Sequence, residues 1–396
     1  MVQQAAVADS PTKGVALDAG SQELIHVIHV VFSLEPGGME NGVVNLANCL
    51  PASQFRTTIC CLDIEGRFAT RLRESVQILA LGRESGFSWP VTRKLAEQLR
   101  ISTGRTVLHT HNHGPLIYAS VARALAWKGT PILHGEHAEL HGGELSLRRR
   151  VQRRVLYRMC RRIHGVSKSV KDQLVSLGHR PEQIEYILNG VDCERFSPPQ
   201  DRSEAKRALG LPPDSPVIGF VARFAPSKRH AFLLDAFREL GAKVPQLQLL
   251  LVGDGGPAKE EVLRLIQQHP FTERIHWRGF QQEPNALYQA MDIFAMPSLR
   301  EGLANVLLEA MASGVPPVAH CACGSAEVVR SGENGIVLDM ITPGHLSDAL
   351  LKLLAAPEAL RHMSIQARKT AQEEFSLQAM VDKYSALYRR VSTLAG

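Results

Sequence analysis

Aromatic side chains make up only 6% of the 396 residues, and no apolar stretch reaches the length of a bilayer crossing. The longest such stretch is interrupted by His26 and His29. Seven cysteines show no paired spacing: Cys60 and Cys61 sit inside an apolar run, and Cys321-x-Cys323 lacks the second half of a zinc site. This excludes a disulfide framework and points to reduced thiols in a cytosolic protein. The first twenty or so residues carry no basic-then-apolar order; rich in Ala, Asp, Ser, Gly and Gln, they read as a disordered tail and not as a signal peptide. A net charge of +6 is too modest to be a nucleic-acid signature, though it suits an anionic ligand or lipid surface. There is no Gly-x-Gly-x-x-Gly fingerprint, no solenoid repeat and no Asp-x-Asp pair.

What is present is an ordinary share of hydrophobic (44%) and charged (21%) residues, a soluble α/β composition, in a chain long enough for two or three cores. Apolar strand-like runs alternate with helical segments twice over. The first cycle runs through Leu24 to Phe32, Thr57 to Leu62, Val76 to Leu79, Thr106 to His109, Ile132 to His134 and Arg162 to Val166. The second starts at Val217 to Val221 and continues through Leu247 to Gly253, Ile275 to Trp277, Asp292 to Ala295, Val315 to Ala319 and Ile336 to Leu338. Between them lie the turn Asn189-Gly190-Val191-Asp192 and the pair Pro198-Pro199. The expected organisation is a tail over residues 1–22, a domain over 23–195, a second over 196–375, and a C-terminal helix over 376–396 that packs back on the first domain. Two doubly wound α/β domains facing one another place a ligand in the cleft at the carboxyl ends of their strands.

The richest segment runs from Pro297 to Pro316. Glu301 and Glu309 are separated by seven residues, and a short buried strand ends just before them. Gly302 and Ala304 are small, so a ligand can approach the backbone. A helix beginning near Leu303 turns its free N–H groups and positive dipole end toward the strand exit, a place for a phosphate. Arg300, the charge that complicates this picture, is expected to point outward.

This segment resembles the Glu-x7-Glu motif of retaining glycosyltransferases of the GT-B fold, family 4. The family's more frequent Phe-Gly is replaced here by Leu303-Ala304, which keeps an apolar and a small residue. The resemblance implies that Glu301 contacts the donor sugar, that Glu309 holds the nucleotide ribose, and that Leu303, Asn305 and Val306 line the donor site. It extends over nearly the whole chain, with further motifs in family order. Gly37-Gly38-Met39-Glu40 resembles the Gly-Gly-x-Glu loop over the donor pyrophosphate and the acceptor. Arg223 and Lys228 resemble the family's Arg and Lys that face the diphosphate, although Ala222 and Arg229 replace the flanking glycines. Two permanent cations in one loop suit such a leaving group. In Ile132-Leu133-His134-Gly135-Glu136-His137 the strand-to-loop position favours His137 over His134 as the active-site histidine. His109 and His111 resemble the acceptor-side strand end; their neighbourhood offers no carboxylate or Cys to complete a zinc site. Gly253 and Arg278 fall in loops that surround the nucleotide base. Gly-Gly-Met-Glu-Asn-Gly and His-Gly-Glu-His look like transferases of bacterial exopolysaccharide clusters, including those linked to protein-sorting systems.

The resemblance implies a nucleotide-diphosphate sugar as co-substrate, a glycan or lipid-linked acceptor, retention of anomeric configuration, and no metal or other cofactor. No covalent nucleophile is evident; the family reacts on one face, with the leaving phosphate taking the acceptor proton. A sugar-nucleotide 2-epimerase of the same fold, or a non-catalytic nucleotide-sugar-binding protein, are the alternatives. Leu147 to Arg162 adds a separate feature. Leu147, Val151, Val155 and Met159 fall four apart on one helical face, and arginines occupy most of the remainder. Such a helix either lies on anionic lipid, making the protein peripheral on the inner membrane face, or packs its apolar stripe into the core.

Overall fold

The computed structural model describes residues 24–299, 303–321 and 324–393. The expected tail lies outside them, as do Arg300, Glu301 and Gly302. Seven strands build the first sheet: β1 (Ile25–Val31), β2 (Phe55–Cys61), β3 (Gln77–Ala80), β4 (Thr106–His111), β5 (Ile132–Glu136), β6 (Arg162–Gly165) and β7 (Ile184–Tyr186). Six build the second: β8 (Val217–Val221), β9 (Gln248–Val252), β10 (Ile275–Trp277), β11 (Ile293–Met296), β12 (Pro317–His320) and β13 (Ile336–Leu338). Every pairing is parallel, in the orders β3-β2-β1-β4-β5-β6-β7 and β10-β9-β8-β11-β12-β13. The chain is therefore a mixed α/β protein with two Rossmann-like sheets. In each the strand order reverses once, between β1 and β4 and between β8 and β11, which opens a crevice at the strands' carboxyl ends.

The strands read as continuous apolar runs because helices cover both faces. β1 and β9 are buried along their whole length. β7 carried no signal in the sequence: it is three residues long, at the sheet edge, with Tyr186 exposed. Such a segment is too short for a period to show.

The chain crosses between domains twice. It leaves the first sheet near Val191, which bridges to Ser376, and returns as the helix Leu377–Thr393. That helix buries Met380, Val381, Tyr384, Leu387, Tyr388 and Val391 in one cluster with Ile25, Val27, Val107 and Leu133 of the first sheet. Its last turns are thus core of the first domain.

The basic helix, Leu147–Met159, does not use its apolar stripe for the core. Leu147 is 77% exposed and Val151 and Val155 are each 55% exposed. The side it buries instead carries Arg153 and Tyr157. Arg153 pairs with Glu136 at 3.3 Å and with Glu144, and the Tyr157 hydroxyl donates to Glu136. Burying a guanidinium is costly without such a partner, so the Glu136 carboxylate, held down to about 2 mainly by its bonds to His134 and the charge of Arg153 against the opposing effect of burial, decides which face of the helix turns inward. The core-packed alternative for the stripe is therefore wrong.

Candidate functional site

A cavity of about 1020 Å³ opens between the domains at the carboxyl ends of both sheets. Gly37, Gly38, Glu40, His137, Arg223, Lys228, Gly253, Leu303, Asn305, Val306 and Glu309 all line it. A smaller one of about 460 Å³ beside Lys206 and Asp292 contains none of the candidate residues.

From the first domain, β1 leads through Gly37 into the helix Gly38–Cys49, whose first N–H groups receive no side-chain cap. The Glu40 carboxylate folds back over this turn, where a side chain at Gly37 would strike it. Burial raises its pKa, while its own backbone N–H and the charge of Arg223 oppose the rise. Glu40 and Arg223 therefore feel one another across the cleft, from different domains.

From the second domain, β8 delivers Arg223, and a short turn, Pro226–Lys228, delivers Lys228. The backbone N–H of Leu299 donates to Ser227 O at 2.8 Å, tying this turn to the loop beyond β11. Gly253 ends β9 with φ of 133°, and a Cβ there would strike the Ala222 carbonyl next to Arg223. Only glycine lets the β8 and β9 exits lie this close. The helix Asn305–Ala312 starts two residues later than expected and presents its uncapped end to the cleft. Its Glu309 is buried, and burial raises its pKa; the Tyr288 hydroxyl, donating to Oε2 at 2.8 Å, and the charges of Arg195 and Arg71 pull it back. Polar contacts join the two domains: the Glu327 carboxylate accepts from the backbone N–H groups of Lys168 and Ser169 at 2.8 and 3.0 Å, and three more lie at the cleft itself. Asn305 Nδ2 donates to Gly38 O at 2.8 Å, Asn189 Nδ2 donates to Leu303 O at 3.2 Å, and the Arg67 guanidinium sits 5.0 Å from the Phe280 ring centre.

His137 leaves the end of β5 half-buried, with its backbone N–H donating to Asn112 Oδ1 at 3.3 Å. Burial pushes its pKa down to about 4, so it meets the cleft as a neutral imidazole at pH 7. Three expected contacts are not in the cleft wall. His109 and His111 are fully buried beneath it: strand alternation turns both to one inner face, where His109 bonds Tyr388 of the C-terminal helix and His164, and His111 bonds His29 and His137. Arg278 turns away to donate to the Leu209 carbonyl. Glu301 lies outside the described residues.

Several cleft residues had no signal in the sequence. Arg67 and Arg71 come from a short 3-10 turn and Arg195 from an irregular segment, and they bring further positive charge to the walls. Tyr288 supports Glu309 from the helix Asn285–Ala290. Asn112 sits at φ of 65° and ψ of 170°, a conformation that glycine favours, and one residue gives no warning of it. Among the described residues, His29, His109 and His111 bring ring nitrogens within 4.8 Å of one another, as do ligand atoms of His320, Cys321 and Asp339; neither group lines the cleft.

The arrangement gathers cations, neutral hydrogen-bonding groups and bare backbone N–H groups around a space open to two walls. That suits a polyanionic ligand held on the second domain and a second molecule approaching from the first. Comparison with known proteins agrees. The family description "Glycosyl transferases group 1" matches residues 201–370, and "Glycosyltransferase Family 4" matches residues 36–195. The chain is 35% identical over 229 residues to the D-inositol 3-phosphate glycosyltransferase of Mycobacterium leprae (strain Br4923), covering 55% of this chain and 52% of that one. It thus spans about half the length of that relative. It is 29% identical over 310 residues to the glycosyltransferase EpsF of Bacillus subtilis (strain 168), covering 73% and 77%. Among solved structures, Anabaena HepE in complex with UDP-glucose superposes with a TM-score of 0.81 at 21% identity, over 92% of this chain and 99% of that one.

Proposed function

Since the chain belongs to the family 4 glycosyltransferases of the GT-B fold, we propose that it moves a sugar, with retention of configuration and without a metal, from a nucleotide-diphosphate sugar to a glycan or lipid-linked acceptor in exopolysaccharide or cell-surface glycan synthesis. The observation that carries this reading is the meeting, in one interdomain cleft, of Arg223 and Lys228 with Glu309 and His137. Arg223, Lys228 and the helix end at Asn305 face the departing diphosphate. Fixed positive groups at that point stabilise charge as it develops and need no reorganisation. Glu309 takes the ribose and Glu301 the donor sugar. The acceptor oxygen bonds to the anomeric carbon on the face from which the phosphate oxygen leaves, and its proton passes to that oxygen. Closure of the two walls keeps out water, which would otherwise hydrolyse the donor. The narrower assignment to exopolysaccharide synthesis is supported by the likeness to EpsF.

Incubation with UDP-, GDP- and ADP-sugars separates the alternatives. Conversion of donor without acceptor marks an epimerase, transfer needs an acceptor, and neither marks a binding module. An α-linked product from an α-linked donor, read by NMR, tests retention; full rate in chelator tests metal independence. The nucleotide that raises the melting temperature is the partner. Against that nucleotide, Glu309→Gln is expected to weaken binding about tenfold, the scale of one charge-assisted hydrogen bond. Unchanged affinity by calorimetry removes Glu309 from the site.

We also propose that the helix Leu147–Met159 docks on anionic lipid. Its apolar stripe is exposed, and Arg148, Arg150, Arg154 and Arg158 are exposed around it. No helix among the described residues is long and apolar enough to cross a membrane, so attachment through this helix would be interfacial. Each basic residue near such a surface adds about 1 kcal/mol. The chain is expected to sediment with phosphatidylserine vesicles and not with phosphatidylcholine vesicles, and Arg148→Gln, Arg150→Gln and Arg154→Gln together should cut recovery at least tenfold. Equal recovery in both supernatants at low salt overturns this.

A further inference from the structure

Behind His137 lies a row of imidazoles that the proposed reaction does not use. His137 Nε2 is 2.9 Å from His111 Nδ1, and His111 Nε2 is 3.0 Å from His29 Nδ1. The row ends there: His29 Nε2 is buried with no partner. A second short row, Tyr388 to His109 to His164 with both gaps 2.8 Å, runs alongside. Room for these rings comes from Gly135, where a Cβ would lie 2.6 Å from His164 Nε2 and 3.0 Å from His137 Nε2. Any other residue in the middle of His134-Gly135-Glu136-His137 would push the rings apart.

Each neutral imidazole has one N–H and one lone pair, so a row of three has only two proton arrangements. In one, His137 carries its proton on Nε2, His111 on Nε2 and His29 on Nε2. That leaves an N–H buried without an acceptor at the far end. In the other, all three carry the proton on Nδ1, and the far end is a bare lone pair. A buried orphan N–H is the rarer and costlier of the two. The second arrangement wins, and it fixes what the cleft sees. His137 Nε2 accepts from His111, and its Nδ1–H, which has no partner among the described residues and is not sealed from solvent, is left to donate into the cleft.

We propose that His111, backed by His29, is a positioning residue that locks His137 as its Nδ1–H tautomer, so that a substrate oxygen meets a neutral hydrogen-bond donor of one fixed polarity. This rests on the reading of the cleft as a sugar-transfer site only for the identity of that oxygen, a hydroxyl of the donor or acceptor sugar. The row explains why His111 lies beneath the cleft wall rather than in it: it acts on the substrate through His137. All three are neutral at pH 7 because burial lowers each of their pKa values, that of His29 to about 3. The lone pairs of His137 Nε2 and His111 Nε2 are committed to hydrogen bonds at 2.9 and 3.0 Å, which a metal bound at either nitrogen would have to break.

Nitrogen-15 NMR of the full chain with labelled histidine reads the tautomers directly, without any assay of transfer. The expected spectrum at pH 7 assigns a protonated Nδ1 and a bare Nε2 to His137 and to His111. An Nε2–H tautomer or an imidazolium at His137 overturns the proposal, as does one equivalent of tightly held transition metal in the purified protein. In the variant arm, His111→Leu is expected to give His137 a mixture of tautomers and to lower kcat five- to tenfold with an unchanged donor KM. His111→Gln, whose amide can still donate, should recover most of the loss. Equal kcat for all three proteins overturns the positioning role. If no nucleotide sugar is turned over, the reading of the site fails, while the NMR result still decides the tautomer.

Discussion

Replacing Arg223 with alanine is expected to lower kcat by about 10²- to 10³-fold, the scale on which loss of one preorganised donor to a developing anion is felt. The residue stands at the exit of β8, is exposed to the cleft, and lies in a loop whose course is set by the tight β9 turn at Gly253. Removing its side chain should leave the fold intact, because the neighbouring Phe224, not Arg223, carries the packing and is buried at 1% exposure. Lys228→Ala should act in the same direction. The informative comparison is between rate and affinity. If the two cations act on the leaving diphosphate, kcat falls more than nucleotide affinity, since the charge grows as the bond breaks. A fall in affinity with unchanged kcat would make them anchors for the ground state only. No change in either would take them out of the site.

The second large effect is a steep loss of stability in mild acid. His29, His109, His111, His137 and His164 all have their pKa values lowered by burial, with mutual repulsion of the rings adding to it at His109, His111 and His164. In the unfolded chain each would titrate near 6.5. As pH falls below that value the unfolded chain takes up protons that the folded chain refuses, so stability is lost toward acid and is fully present above 6.5. Each histidine contributes a slope of up to about 1.4 kcal/mol per pH unit until its folded pKa is reached, near 4 for His137. Five acting together make the first domain acid-labile. Urea midpoints at pH 7.5, 6 and 5 and constant ionic strength measure this. A midpoint that stays level across that range would mean that the cluster is charged or open to water.

These two expectations draw on different kinds of knowledge. The basic loop at Arg223 was legible in the sequence, because a cation pair just past a buried strand is a local pattern. So were twelve of the thirteen strands among the described residues, since the central ones, buried on both faces, leave continuous apolar runs whatever lies beside them, and the edge strands β3 and β13 keep an apolar pair or triplet. β7 was not legible, because three edge residues carry no period. The histidine row was not legible either. His29, His111 and His137 come from β1, β4 and the exit of β5, and only the pairing of β1 with β4 and of β4 with β5 brings them into one line. In the sequence, His109 and His111 looked like cleft residues because they end a strand at the right level. Only the tertiary structure shows that they lie beneath the cleft wall: Tyr388 of the C-terminal helix returns 279 residues later to bond His109, and His111 bonds His29 and His137.

The basic helix teaches the same division. Its amphipathic spacing was plain, yet spacing does not say which face turns inward. A buried carboxylate at Glu136 claims Arg153, and the apolar stripe is left outside. By itself the sequence determined the two α/β cycles, the family and the place of the cation pair Arg223 and Lys228 just beyond a strand, because each of these is written in neighbouring residues. Only the tertiary structure decided the orientation of side chains, the partners of the buried histidines and the exposed face of the helix Leu147–Met159. Those depend on contacts between segments far apart in the chain, where the desolvation of a charge or an N–H outweighs the preference of any local pattern.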